Sequence, residues 1–282
     1  MKNIFSIFLI SCFSLTVISC AKKSSDDSKT TSPLYVAVGN GTYYGTIITS
    51  PDATTWTTRG SGTTEILYGV TYGNSTFVVM GNNGTILTSS DGTTWTARTS
   101  GTTNSLYRGT YGNSLFVVVG DNSTGSGTIL TSPDGTTWTS RTSGASNRLF
   151  EVTYANSTFV VVGTKGTILT SSDGTTWTSR TSGTTEGLRG ITYENSTFVA
   201  VGASSTILTS SDGTTWTPIS QVMVKDSGKL WTIVTSPTTD DFQGVTFGNN
   251  TLVAVGGRGN GGGIIRSTDN GVSWNNVTSP NK

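Results

Sequence analysis

The chain has 282 residues, a formal charge of +1 and only 12% charged residues. It contains no histidine and two cysteines. That excludes Ser-His-Asp and Cys-His catalysis, histidine-ligated zinc and imidazole acid–base chemistry. A charge near zero offers no global attraction to nucleic acid, which is not expected as a partner.

The first element in chain order is a leader. Lys2 supplies a positive n-region, and Ile4 to Ile18 is an apolar run broken only by Ser and Thr. Such a run is short for a transmembrane helix and reads as a signal-peptide h-region spanning residues 1–19. It ends in Val17-Ile18-Ser19-Cys20. This ending resembles the lipobox of bacterial lipoproteins, with Ile18 where a small residue is usual. The resemblance implies cleavage before Cys20, acylation of its thiol and anchoring in a membrane of the bacterial cell envelope. Some such proteins carry Asp directly after the acylated Cys for inner-membrane retention. This chain has Ala21 there, so the outer membrane or cell surface is expected. Cys12 lies inside the leader, so the processed chain keeps one cysteine and forms no internal disulfide. Removing Lys2 brings the charge to zero. Residues 20–33 follow as the lipidated Cys and a polar tether without hydrophobic periodicity.

Residues 34–282 are repetitive. Trp56, Trp95, Trp138, Trp177 and Trp216 lie 39, 43, 39 and 39 residues apart, and Trp231 and Trp274 lie 43 apart. A full unit runs from Leu67 to Thr103 and returns from Leu106, Leu149, Leu188 and Phe242. Each holds four short runs rich in Thr, Val, Ile, Tyr and Phe, bounded by Gly, Asn, Asp or Ser. These are strands A, B, C and D. Strand B, as in Phe77-Val78-Val79-Met80, is apolar on both faces and should be sandwiched between sheets; strand D alternates and should have one wet face.

Four antiparallel strands every 40 residues or so predict an all-β chain folded as a single β-propeller of six blades. Strand A occurs five times and strands B, C and D six times. Leu34 to Val38 aligns with strand B, so the first blade is expected to have three strands. A parallel β-helix is the alternative, disfavoured by the tight hairpins. Residues 217–230 read as an insertion, with Leu230-Trp231-Thr232 resuming strand D and Gln221 to Lys229 a protruding hairpin.

The turn between strands C and D is the most regular feature. Ser267-Thr268-Asp269-Asn270-Gly271-Val272-Ser273-Trp274 matches S-x-D-x-G-x-[ST]-W, the Asp-box pattern. Shorter copies surround Asp52, Asp91, Asp134, Asp173 and Asp212. The chain therefore resembles the sialidase-like propeller superfamily, which includes photosystem II assembly-factor-like propellers. Asp in such a turn can accept hydrogen bonds from its own backbone, and Trp can cover the hairpin. The six Asp and Trp56, Trp95, Trp138, Trp177, Trp216 and Trp274 are accordingly read as structural. Arg59, Arg98, Arg141 and Arg180 share one position in strand D and are not an arginine triad.

Function is sought where the repeats disagree. After the first residue of strand A the copies read Tyr68, Tyr107, Phe150, Arg189 and Gln243; the next position reads Gly69, Arg108, Glu151, Gly190 and Gly244. The D-to-A loops add Glu65, Arg148, Glu186 and Asp241, and the B-to-C loops add Asp121, Lys165 and Arg258. Tyr68, Tyr107, Arg108, Arg148, Phe150, Glu151, Arg189 and Gln243 form the expected ligand-binding set, on the face where these loops gather. No catalytic residue, metal site or cofactor is assigned. The expectation is a monomeric, non-enzymatic binding scaffold for a protein or glycan. The alternative is a glycoside hydrolase of the sialidase-like class, which needs only two carboxylates or a Tyr nucleophile.

Overall fold

A computed structural model describes residues 16–22, 34–40, 45–218, 222–224, 232–234, 241–248, 251–256, 263–268 and 275–276. Among them there is no α-helix. The strands follow one another in meanders. The first sheet holds β1 (Thr16–Lys22), β2 (Tyr35–Asn40), β3 (Thr46–Ser50) and β4 (Thr57–Arg59). The second holds β5 (Leu67–Gly73), β6 (Thr76–Gly81), β7 (Ile86–Ser89) and β8 (Thr96–Arg98). The third holds β9 (Ser105–Gly112), β10 (Leu115–Asp121), β11 (Gly127–Ser132) and β12 (Thr139–Arg141).

The fourth sheet holds β13 (Leu149–Ala155), β14 (Thr158–Gly163), β15 (Ile168–Ser171) and β16 (Thr178–Arg180). The fifth holds β17 (Leu188–Glu194), β18 (Thr197–Gly202), β19 (Ile207–Ser210) and β20 (Thr217–Pro218). A hairpin of β21 (Val222–Val224) and β22 (Thr232–Val234) follows. The last sheet holds β23 (Phe242–Gly248), β24 (Thr251–Gly256), β25 (Gly263–Ser267) and β26 (Asn275–Asn276). Sequential four-stranded antiparallel sheets of this kind are the blades of a β-propeller.

Local chemistry explains the meanders. Strands A and B join through Asn74-Ser75, Asn113-Ser114, Asn156-Ser157 and Asn195-Ser196, all with φ between 44° and 61°. Two consecutive residues at positive φ are what a type I′ turn requires, and Asn tolerates that region best among non-glycine residues.

The chain divides into two compact units: Phe8–Arg148 with Ser171–Trp177, and Met1–Ile7, Leu149–Thr170 and Thr178–Lys282. Within the first, β6 is buried on both faces. Phe77 and Val79 join Val36, Val38 and Leu67 in one core, and Val78 and Met80 join Leu106, Phe116 and Val118 in another. Within the second, β18 does the same, with Phe198 and Ala200 facing Val160 and Leu188, and Val199 and Val201 facing Phe242 and Ala254. Period-two alternation thus survives in strand B as an alternation of cores.

The first sheet carries an addition, and one expectation needs correction. From Leu34 onward the first sheet has its three strands, but β1 adds a fourth from the segment assigned to leader, lipidated Cys and tether. It pairs antiparallel to β2, with Cys20 opposite Ala37 and Ala21 opposite Val36. The polar tether argued against an inner strand there; the strand is drawn instead mainly from the residues before Cys20. The correction concerns strand D: Thr232 does not resume it, and Leu230 and Trp231 lie outside the described residues. The residues directly after Trp216 pair with β19 as β20, and β22 pairs with β21. Trp231, Arg258, Asp269 and Trp274 lie outside the described residues, as do residues 1–15.

Candidate functional site

The five described C-to-D turns share one hydrogen-bond pattern. Oδ1 of Asp52, Asp91, Asp134, Asp173 and Asp212 accepts two backbone N–H bonds each, at 2.7–2.9 Å, from the Thr residues two and three positions on. The preceding Ser donates its hydroxyl to the same carboxylate at 2.9–3.0 Å. These bonds hold the carboxyls well below the usual range. The largest cause is the N–H of the second Thr in four turns and the Thr136 hydroxyl at Asp134. Each Trp indole N–H returns to a carbonyl of its own turn, at 3.2 Å in Trp95 and 2.9 Å in Trp138. Arg59, Arg98, Arg141 and Arg180 each donate Nε at 2.8 Å to the hydroxyl of a strand C Thr. Every one of these groups is engaged locally.

Strand A carries a different device. Its register slips once in each sheet, between Val17 and Ser19, Leu67 and Gly69, Leu106 and Arg108, Leu149 and Glu151, Leu188 and Gly190, and Phe242 and Gly244. The residue inside each slip is the extra residue of a β-bulge: Ile18, Tyr68, Tyr107, Phe150, Arg189 and Gln243. The slip lets residues three apart, such as Leu67 and Val70 or Leu188 and Ile191, both enter the core. Bulges re-aim a side chain away from the regular pleat and are frequent next to binding sites. The position at which the repeats disagree is thus the position that the backbone sets apart.

In the first unit these residues are linked. Tyr68 and Tyr107 meet edge to face, with ring centroids 5.2 Å apart. Tyr107 Oη donates to Asp121 Oδ1 at 2.8 Å, and Arg148 Nε lies 2.9 Å from Asp121 Oδ2. Asp121 is 6% exposed in its side chain and Arg148 52%. Arg108 donates to the main-chain carbonyls of Tyr68 and Tyr107. Burial, then the bond to Asp121, raises the Tyr107 hydroxyl pKa above the ordinary tyrosine range. Burial, then the charges of Asp121 and Glu65, raises that of Tyr68. Both rings therefore stay neutral at any physiological pH. Glu65 accepts from the side-chain amides of Asn82 and Asn83 at 3.1–3.2 Å.

In the second unit the guanidinium carbon of Arg189 lies 5.5 Å from the centre of the Phe150 ring, within cation–π range. Its Nε is buried without a hydrogen-bond partner. Gln243 is exposed on its bulge, Glu151 half-buried after the bulge of β13, and Lys165 exposed in its loop.

Of the expected set, Tyr68, Tyr107, Arg108 and Arg148 gather in one unit, and Phe150 and Arg189 in the other. The sequence reading named Asp121 only as a loop acid, yet it ties the first group together. One signal could have found it. At the position after the last Gly of strand B, the repeats read Asn40, Asn82, Asp121, Thr164, Ala203 and Gly257, with Asp121 the single acid. Among the described residues no cluster of three Cys, Asp or Glu could hold a metal ion.

A family model described as the DUF6242 beta propeller domain matches residues 110–230. No curated protein matches the chain in sequence. Among solved structures, YCF48 from Cyanidioschyzon merolae is similar, with a TM-score of 0.66 at 17% identity, over 96% of this chain and 87% of that one. A structure of YCF48 bound to D1 peptide gives 0.65 at 16% identity, over 94% and 81%. Virginiamycin B lyase from Staphylococcus aureus gives 0.73 at 13% identity, over 93% and 84%. At these identities the likeness is one of fold.

Proposed function

We propose that the chain is a non-enzymatic binding scaffold of the bacterial cell envelope, anchored through lipid on Cys20, whose ligand is a segment of another protein. The observation that carries this reading is the contrast along each repeat: one backbone bulge per four-stranded sheet, bearing Ile, Tyr, Tyr, Phe, Arg and Gln in turn, with Tyr68, Tyr107, Arg108, Asp121 and Arg148 joined into one aromatic and charged cluster. Neutral tyrosines beside arginine are the residue types that dominate protein recognition. The peptide in the YCF48 complex supports a protein ligand over a glycan. Asp121, which already accepts from Tyr107 and faces Arg148, suits the holding of a surface better than the transfer of protons in glycoside hydrolysis.

The test has two arms. Capture from native membranes is run with the wild-type chain, with Tyr68→Ala and with Tyr107→Phe; at least a tenfold loss of one captured protein in the variants, with an empty glycan array, is expected. A glycan hit that both variants abolish, with no protein captured, overturns the protein reading. For the anchor, intact mass of the chain isolated from membranes is expected to show an acylated N-terminal Cys20, and Cys20→Ala is expected to abolish the acyl mass. An unmodified Cys20 in the wild-type chain overturns the anchor.

A further inference from the structure

β1 and lipidation make competing demands on the same residues, and the inference drawn from this rests on the reading of Cys20 as the acylated first residue of the processed chain. By register, Cys20 stands in the first sheet where Val70, Val152 and Ile191 stand in the second, fourth and fifth. Those three are 6%, 3% and 6% exposed. A residue held at that register within the sheet cannot also hold acyl chains in a bilayer, so anchoring requires Cys20 to leave the sheet. Cleavage before Cys20 also removes Thr16, Val17 and Ser19, three of the six residues that pair with β2. Processing therefore strips the edge of Tyr35–Asn40. It uncovers the core that Val36, Val38, Leu67 and Val70 share with Ala21. An unpaired edge with an apolar flank is a template for strand addition.

The tether that follows Cys20 does not supply a replacement strand. The tether Ala21 to Ser32 has no pair of large apolar residues, and the apolar strands β21 and β22 pair with each other. A second processed copy has lost the same strand.

We infer that the processed chain takes an extended segment of a partner protein as the first strand of its first sheet, antiparallel to β2, in the place β1 occupies in the full chain. The register states what fits. A large apolar residue belongs at the Val17 position, whose counterparts Leu67, Leu106, Leu149 and Leu188 are fully buried. A second apolar residue belongs three positions on, at the Cys20 register. A small one follows, since Ala21 is 7% exposed. The residue at the bulge is unrestricted in type. This strand site adjoins β5, which carries Tyr68 of the aromatic cluster.

The probe is a fluorescein-labelled peptide of residues 16–22 with serine in place of Cys20. It is titrated by anisotropy into acylated chain purified from membranes, and into full chain made by cell-free synthesis without membranes, which retains its leader. Saturable binding to the acylated chain is expected, at least tenfold tighter than to the full chain and at least tenfold tighter than for a peptide with Val17→Asp. In parallel, amide hydrogen exchange in Tyr35–Asn40 is expected to be at least tenfold faster in the acylated chain and to slow when peptide is added. Acylated chain that ignores the peptide, or whose β2 amides are as protected as in the full chain, overturns the inference and leaves the anchor standing. Chain from membranes that still carries its leader, by intact mass, overturns both. A dimer of acylated chain that the peptide does not dissociate overturns it in favour of a second copy.

Discussion

The turn between strands C and D and the bulge in strand A are both repeated backbone devices, but only the turn repeats its side chains. Around Asp52, Asp91, Asp134, Asp173 and Asp212 the same Ser, Thr and Trp make the same bonds. At the bulges the backbone slips alike while the side chain changes from Tyr to Phe to Arg to Gln. The turn needs its side chains because the Asp carboxylate is what accepts its backbone N–H bonds. The bulge is satisfied by main-chain geometry alone, so its side chain is left for other work. A repeated residue in a repeat protein thus marks what the fold requires, and a varying residue on an unvarying backbone marks where ligand specificity can be written.

The sharpest way to break this comparison is at the turn. Trp216 is 7% exposed, lies 6.3 Å from the Phe198 ring and donates to the Gly213 carbonyl at 2.9 Å. Trp216→Ala is expected to cost about 3–5 kcal/mol, read from the urea midpoint; a loss under about 1 kcal/mol would remove the structural role. Asp121→Asn comes next. It strips a buried carboxylate from Tyr107 and Arg148, and about 1–2 kcal/mol is expected, the exposure of Arg148 lowering the value. Ligand capture should fall with it, since this acid belongs to both stability and site.

Acid titration gives a smaller, collective effect. The turn aspartates have folded pKa values below their unfolded ones, so their stabilisation is fully present above the ordinary carboxylate value of about 4 and is lost as pH falls below it. Their contribution to the melting temperature is expected to be flat from about pH 5 to 8 and to decline below about pH 4. The five Asp→Asn changes together should abolish that slope. All five groups are exposed, so screening keeps the effect modest. The smallest stability change belongs to the bulge: Gln243→Ala is expected to shift stability by less than about 0.5 kcal/mol. A larger shift would show that bulge side chains are also required by the fold.

Much of this was legible along the chain. Trp spacing and apolar runs locate the sheets, and Asn-Ser pairs locate the A-to-B turns, because hairpin geometry is decided by adjacent residues. The divergent positions were legible as variation, and the structure brings Tyr68, Tyr107, Arg108 and Arg148 among them together. The bulge was there to be read as well, since Leu67 and Val70 are apolar at a spacing of three, which an unbroken strand cannot bury on one face. Two features were missed. Asp121 looked like one loop acid among several; its partners Tyr107 and Arg148 lie 14 and 27 residues away in sequence. β1 was read as leader, lipidated Cys and tether, since an apolar run ahead of a Cys serves equally as an export signal and as a strand.

By itself, then, the sequence determined the all-β class, the four-stranded repeat, the turn chemistry and the place where the repeats diverge. These rest on periodicity and on hydrogen bonds spanning two or three residues. Only the tertiary structure decided that Tyr68, Tyr107, Phe150, Arg189 and Gln243 each sit on a bulge, that Asp121 draws Tyr107 and Arg148 together, and that residues 16–22 complete the first sheet. Each of those depends on register between strands or on contacts between distant residues, and strand register is settled by which faces find a core to share.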